Sequence, residues 1–123
     1  AIAAGSRHRV TLGRLDVARD WGYAPEYVEA MWRMLQRDAP EDFVIATGES
    51  HTLEELTAAA FQSFNLNWRD HVDIDPTLFR ASEIAYSRGN PEKARRLLGW
   101  EAETKFDALV GKLAGAERVP TRN

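Results

Sequence analysis

Apolar and polar positions alternate or recur along the chain in a way that divides it into short elements. His8-Arg9-Val10-Thr11-Leu12 places Val10 and Leu12 on one face and reads as a short strand closed by Gly13. Residues 14–24 read as a connector carrying Arg14, Asp16, Arg19, Asp20 and Trp21. Pro25 then stands as a first helical residue, with Glu26 and Glu29 in the first turn. Val28, Met31, Trp32 and Leu35 fall at i, i+3, i+4 and i+7, which predicts a helix of about 13 residues burying that stripe. Its polar side, Glu29 and Arg33, is expected to face water. Asp38-Ala39-Pro40 ends it.

Phe43-Val44-Ile45-Ala46 is a continuous apolar run before Thr47-Gly48 and predicts a strand covered on both faces, as in parallel sheets. Thr52 with Glu55 three residues on spells a capping box for a helix whose inner face holds Leu53, Leu56, Ala60 and Phe64. His71 to Asp75 alternates and stops at Pro76, predicting a short strand with Val72 and Ile74 inward. Residues 77–89 have no clear period. Asn90-Pro91 starts a helix with Ala94, Leu97 and Leu98 inward. Gly99 is its left-handed stop, and Trp100 folds back on the last turn. Thr104 caps a last helix with Phe106, Leu109, Val110 and Leu113 inward. Helices alternating with strands argue for an α/β domain over residues 1–116, with 117–123 as a frayed tail.

Composition agrees with one globular unit. The chain has 123 residues, 44% hydrophobic and 28% charged, which excludes disorder along its whole length. No apolar run is long enough to span a bilayer. With no cysteine, disulfides, thiolate metal sites and cysteine nucleophiles are excluded, and the expected setting is cytoplasmic. The first residue is Ala rather than Met, and Ala-Ile-Ala-Ala-Gly resembles the end of a helix. The expectation is therefore a piece of a longer protein.

The net charge is −3, a poor footprint for nucleic-acid binding. Charge is uneven, however: residues 1–22 carry four Arg against two Asp. A local anion site is compatible with an acidic chain. Arg14 and Arg19 flank a turn, and Arg80 precedes Glu83 by three residues. Guanidinium forks suit the oxygens of a diphosphate, and a nearby carboxylate suits the hydroxyls of a ribose. The same residues also read as surface arginines with salt-bridge partners, and spacing alone favours that reading.

Other chemistry finds little support. His71, Asp73 and Asp75 share one strand face, yet three ligands on successive same-face positions rarely converge on one ion. Ser50 and His51 read as loop residues ahead of the Thr52 cap. The sequence has no Gly-rich dinucleotide fingerprint and no P-loop, and none of Tyr23, Tyr27 and Tyr86 has a Lys four residues on.

Arg19-Asp20-Trp21-Gly22-Tyr23-Ala24, then Tyr27 to Trp32, and the run Pro40 to Glu49 resemble the GDP-mannose 4,6-dehydratases. So do Val72 to Pro76, Phe79-Arg80 with Glu83, and Gly89 to Ala94 leading to Leu98-Gly99-Trp100. The likeness runs in order over about residues 2–114. The Lys-Ala…Leu-Gly-Trp ending is shared by many extended short-chain dehydrogenase/reductases acting on nucleotide sugars. The resemblance implies the C-terminal part of such an enzyme: the last strands and helices of the nucleotide-binding sheet and most of a small substrate lobe. Arg19 and Arg80 would grip the diphosphate of GDP-mannose or a related GDP-sugar, and Glu83 would hold the ribose. NADP and the catalytic groups would lie in the N-terminal part, so no cofactor is expected in this chain and no catalysis alone. Two departures are notable. Arg14 stands where the family usually has Asn, and Ala81 replaces a Pro after Arg80. Two rivals remain at this point: a GDP-sugar reductase or epimerase fragment, and a truncated, non-catalytic dimer exposing Trp21, Trp68 and apolar strand edges. A homo-oligomer is expected either way.

Overall fold

The computed structural model describes residues 1–116; the expected tail, 117–123, lies outside the described residues. The elements follow in the order β1 (Val10–Leu12), β2 (Ala18–Arg19), α1 (Ala24–Leu35), β3 (His51–Thr52), α2 (Leu53–Gln62), β4 (Val72–Ile74), α3 (Glu92–Leu98) and α4 (Phe106–Ala116). Short 3-10 turns at Trp68–Asp70 and Pro76–Leu78 flank β4. β1 pairs with β4 in parallel, Val10 opposite Val72 and Leu12 opposite Ile74. β2 pairs with β3 antiparallel, Ala18 opposite Thr52 and Arg19 opposite His51. This is an α/β unit in which each described sheet has two strands.

Local signals set most boundaries. Pro25 opens α1, and the Thr52–Glu55 capping box opens α2 in both directions: Glu55 N donates to Thr52 Oγ1 at 3.1 Å and Thr52 N to Glu55 Oε2 at 2.7 Å. Gly99 ends α3 with φ at 59°, the left-handed region that costs glycine nothing. Trp100 N then donates back to Ala94 O. Residues 14–24, read as a connector, contain β2, and His51 lies in β3 rather than in a loop.

The core forms where small residues let helices close on one aromatic. Ala30 of α1, Ala94 of α3 and Ala102 surround Trp100, which is 2% exposed, with Tyr27, Phe43, Ile45 and Leu98 packed around them. Trp100 meets Tyr27 edge-on at 5.9 Å between ring centroids, and its indole N–H donates to Glu26 O at 2.9 Å. The Glu26 carboxylate accepts from the amides of Glu103 and Thr104 and from the Thr104 hydroxyl. So Thr104, predicted to cap α4, is itself held by α1. A second buried set, Phe106, Leu109, Val110 and Ala114, lines α4, which packs on α2.

Several sequence expectations fail, most of them because an apolar side has no neighbour within the described chain. The α1 stripe is outward, with Val28 63%, Met31 58%, Trp32 61% and Leu35 81% exposed. The helix packs instead through Ala30 and Tyr27. Arg33, expected to be free in water, donates to Leu98 O and Gly99 O and pairs with Glu29. Phe43 to Ala46 belongs to no described strand, and Val44 is exposed. Ile74, Leu97 and Leu113 are outward as well, and Ala114 takes the inward place expected for Leu113. Trp21 and Trp68 are half-buried; the Trp21 indole donates to His51 O at 3.2 Å. They are not the exposed pair that a dimer was expected to use.

Candidate functional site

Two chain segments run side by side and assemble the predicted site. Asp75 N donates to Leu12 O at 2.9 Å, and Gly13 lies against Leu78, with room for no more than a van der Waals contact. Further along, Ala18 N donates to Ala85 O at 2.8 Å and Ser87 N to Ala18 O at 3.0 Å, a parallel bridge centred on Ala18 and Tyr86. Residues 12–19 and 75–87 therefore form one seam. All four candidate residues, Arg14, Arg19, Arg80 and Glu83, lie on it.

Arg19 and Glu83, 64 residues apart in sequence, meet as an ion pair, Nη2 donating to Oε1 at 2.7 Å. Both are largely shielded, their side chains 28% and 18% exposed. Arg19 Nη1 donates to Ala18 O. Arg14 forms a two-pronged pair with Asp16 at 2.8 and 2.7 Å. Its guanidinium is pushed further above its ordinary range, first by these hydrogen bonds and more weakly by the charge of Glu83, which places Glu83 within electrostatic reach. Asp16 is lowered by the same bonds from Arg14. Arg80 is exposed, and no described residue hydrogen-bonds or ion-pairs with it. The seam thus holds three guanidinium groups against three carboxylates, Asp16, Asp75 and Glu83, and among the described residues the Arg80 fork is uncommitted.

The residue beside Arg19 was not singled out by sequence reasoning. The Asp20 carboxylate accepts from Thr47 N at 2.8 Å, Thr47 Oγ1 at 2.6 Å, Gly48 N at 3.0 Å and Gly89 N at 3.3 Å. It ties two distant segments, Thr47-Gly48 and Gly89, to the seam. Lys105 Nζ donates to Thr47 O at 2.8 Å and closes the same knot. Gly22, two residues on, is required by packing: a Cβ there would lie 1.9 Å from the Tyr27 hydroxyl. The signal available in sequence was the Arg-Asp-Trp-Gly string itself, in which Arg19, Asp20 and Trp21 each find a partner far along the chain.

Elsewhere the alternatives dissolve into ordinary contacts. Asp73 pairs with Arg9 at 2.6 Å. Asp75 accepts from Thr77 N and Oγ1, and His71 Nδ1 contacts His8 O. Among the described residues no group of three His, Cys, Asp or Glu could hold a metal ion, and no described helix is long and apolar enough to cross a membrane.

Comparison with known proteins gives this seam its context. The family model for GDP-mannose 4,6 dehydratase matches residues 1–113. GDP-mannose 4,6 dehydratase 1 of Arabidopsis thaliana is 45% identical over 109 residues, which are 89% of this chain and 30% of that protein. The Homo sapiens GDP-mannose 4,6 dehydratase is 38% identical over 133 aligned residues, covering 94% of this chain and 36% of the human protein. Among solved structures, RMD from Pseudomonas aeruginosa complexed with NADPH superposes with a TM-score of 0.81 at 19% identity, over 96% of this chain and 39% of that one. UDP-glucose 4-epimerase from Bifidobacterium longum, solved with NAD+ and UDP, gives 0.76 at 20% identity over 97% and 38%. At such identities the structural likeness is one of fold. The chain therefore belongs to the GDP-mannose 4,6-dehydratase family, spanning 30% and 36% of the two relatives named.

Proposed function

We propose that the chain is the C-terminal, nucleotide-sugar-binding part of a GDP-mannose 4,6-dehydratase, and that the seam of Arg14, Arg19, Arg80 and Glu83 receives the GDP moiety. The observation that carries this reading is Arg80: an exposed guanidinium without a partner among the described residues, three residues from Glu83 of the Arg19–Glu83 pair. A diphosphate supplies the planar, anionic oxygens that such a fork binds two at a time. Arg19, fixed on β2 and with no partner for Nε among the described residues, adds a second positive charge. Among the described residues Glu83 Oε2 has no donor while Oε1 holds Arg19, so it can accept from a ribose hydroxyl without giving up its ion pair. Asp20 acts one step back, fixing the backbone from which Arg19 projects.

The proposed role is binding rather than turnover. The sequence offers neither a Gly-rich loop for a dinucleotide nor a Tyr with Lys four residues on. No hydride or proton-transfer step is assigned to its residues, and the NADP-binding part is placed in the stretch of the relatives that this chain does not span.

Isothermal titration with GDP-mannose tests the reading. An open site of this kind predicts an affinity near millimolar, about −4 kcal/mol. Arg80→Ala removes most of it, because a hydrogen bond to a charged group contributes about 1.5–3 kcal/mol. Added salt weakens binding by screening. Equal affinity in wild type and Arg80→Ala contradicts the assignment.

A further inference from the structure

Burial alternates along the stretch Arg14 to Val17. Leu15 and Val17 are buried, and their carbonyls accept from Glu54 N at 2.9 Å and Leu53 N at 3.0 Å at the start of α2. Arg14 and Asp16 lie between them in the alternation and project outward, from a backbone that is held independently of their side chains. There they meet each other. Arg14 Nε and Nη2 donate to the two oxygens of Asp16 at 2.8 and 2.7 Å. A guanidinium fork takes two oxygens of a phosphate in the same two-pronged way. Asp16 thus fills the Arg14 fork as an internal anion.

The seam has two arginine–carboxylate pairs, and they are held with different firmness. Arg19–Glu83 joins residues 64 apart in sequence, beside the bridge between Ala18 and Tyr86, and both side chains are largely shielded. Arg14–Asp16 joins residues two apart, with side chains 34% and 69% exposed. Neither of its hydrogen bonds crosses to another segment. An exposed ion pair adds little to stability, so exchanging its partner costs little. Asp16 turns into water by rotation about its own side-chain bonds, and the buried neighbours Leu15 and Val17 keep the backbone where it is. Charge bookkeeping gives the contact its consequence. Arg14, Arg19 and Arg80 face Asp16, Asp75 and Glu83, three against three, so an arriving anion meets no net positive charge while Asp16 stays in place.

We propose that Asp16 is an autoinhibitory counter-ion: it closes the Arg14 fork in the free chain, and a nucleoside diphosphate displaces it on binding. The exchange sets a threshold. A singly charged anion offers Arg14 no more than Asp16 already does, whereas a diphosphate held at Arg80 brings several charged oxygens to the same seam. Asp16 therefore works against binding, and selects for ligands with enough charge to remove it. The proposal rests on the reading of the seam as a diphosphate site and adds to it a residue that opposes the ligand.

The test is a titration of GDP into the full chain and three variants, Asp16→Asn, Arg14→Gln and the double variant. Asp16→Asn is expected to tighten binding about three- to tenfold, since the ligand no longer competes with a charged partner. Arg14→Gln weakens binding, and in its presence Asp16→Asn gives a gain of about twofold at most. In wild type, the Asp16 carboxyl carbon and Arg14 Nε resonances shift together with the midpoint of GDP binding as their contact breaks. A gain in the Arg14→Gln background as large as in wild type means that Asp16 acts by charge alone, and overturns the proposal. So does an Asp16→Asn affinity equal to or weaker than wild type, or a saturated complex in which the Asp16 and Arg14 resonances have not moved. If Arg80→Ala still abolishes binding in those cases, the seam stands and only the exchange falls. GDP bound by neither wild type nor Asp16→Asn overturns the seam and the exchange together.

Discussion

Trp100 and Trp32 are the same residue type in opposite situations, and replacing each with Ala separates the structure from the sequence pattern. Trp100 is 2% exposed, is ringed by Ala30, Ala94 and Ala102, and donates its indole N–H to Glu26 O. A buried Trp covers about 150–250 Å², or roughly 4–6 kcal/mol at about 25 cal/mol per Å². The unfolded chain already buries part of that area, which lowers the figure, and the lost hydrogen bond adds about 1 kcal/mol. Trp100→Ala is therefore expected to cost about 4 kcal/mol, within the usual 3–5 for such truncations. That is a large share of the roughly 5–15 kcal/mol available to a domain. Trp32 is 61% exposed and loses little cover. Alanine's better helix propensity returns about 0.5 kcal/mol, so Trp32→Ala is expected to cost about 1 kcal/mol or less. Urea unfolding followed by far-ultraviolet circular dichroism avoids the change in fluorescence that either substitution causes. Equal costs, or a larger cost at Trp32, would refute the assigned orientation of α1.

Substitutions at three further positions and a pH series probe other contacts. Glu26→Ala should cost about 2–4 kcal/mol, because three donors of Glu103 and Thr104 lose a charged acceptor, and Glu26→Gln about half as much, read from urea midpoints. Gly22→Ala should lower the melting temperature, at a cost of about 1–3 kcal/mol, since its Cβ would meet a Tyr27 ring already pinned against Trp100. The Arg9 hydrogen bonds hold Asp73 below its usual 3.8, so its contribution to stability is present above that value and is lost as pH falls through the lowered one. Asp73→Asn should flatten that part of an acid titration of stability. The purified chain, free of host enzyme, should show no conversion of GDP-mannose with NADP; turnover would contradict the assignment of the cofactor and catalytic groups to another part of the fold.

What the sequence made legible was local. Pro25, the Thr52–Glu55 box and the Gly99 stop each work within one helical turn, and each lies at or within a residue of the observed boundary. The α1 stripe and the Phe43 to Ala46 run were legible as apolar, but burial and pairing depend on a neighbour, and the described chain supplies none for the stripe, little for Val44 and no partner strand for the run. The site divides in the same way. Arg80 and Glu83 stand three apart and could be read together. That Glu83 engages Arg19 depends on the bridge between Ala18 and residues 85–87, which no periodicity announces. Asp20 shows the limit most clearly, since its donors, Thr47, Gly48 and Gly89, stand 27 to 69 residues away.

The central claim is that the seam of residues 12–19 and 75–87 receives a guanosine diphosphate group. The most direct measurement is a titration of backbone amide shifts in nitrogen-15-labelled chain with GDP, carried to several millimolar. The account predicts saturable shifts concentrated at residues 14–22 and 78–87, lost in Arg80→Ala while the remaining spectrum is preserved. Shifts confined to other residues, or no shifts at the highest concentration, would contradict it.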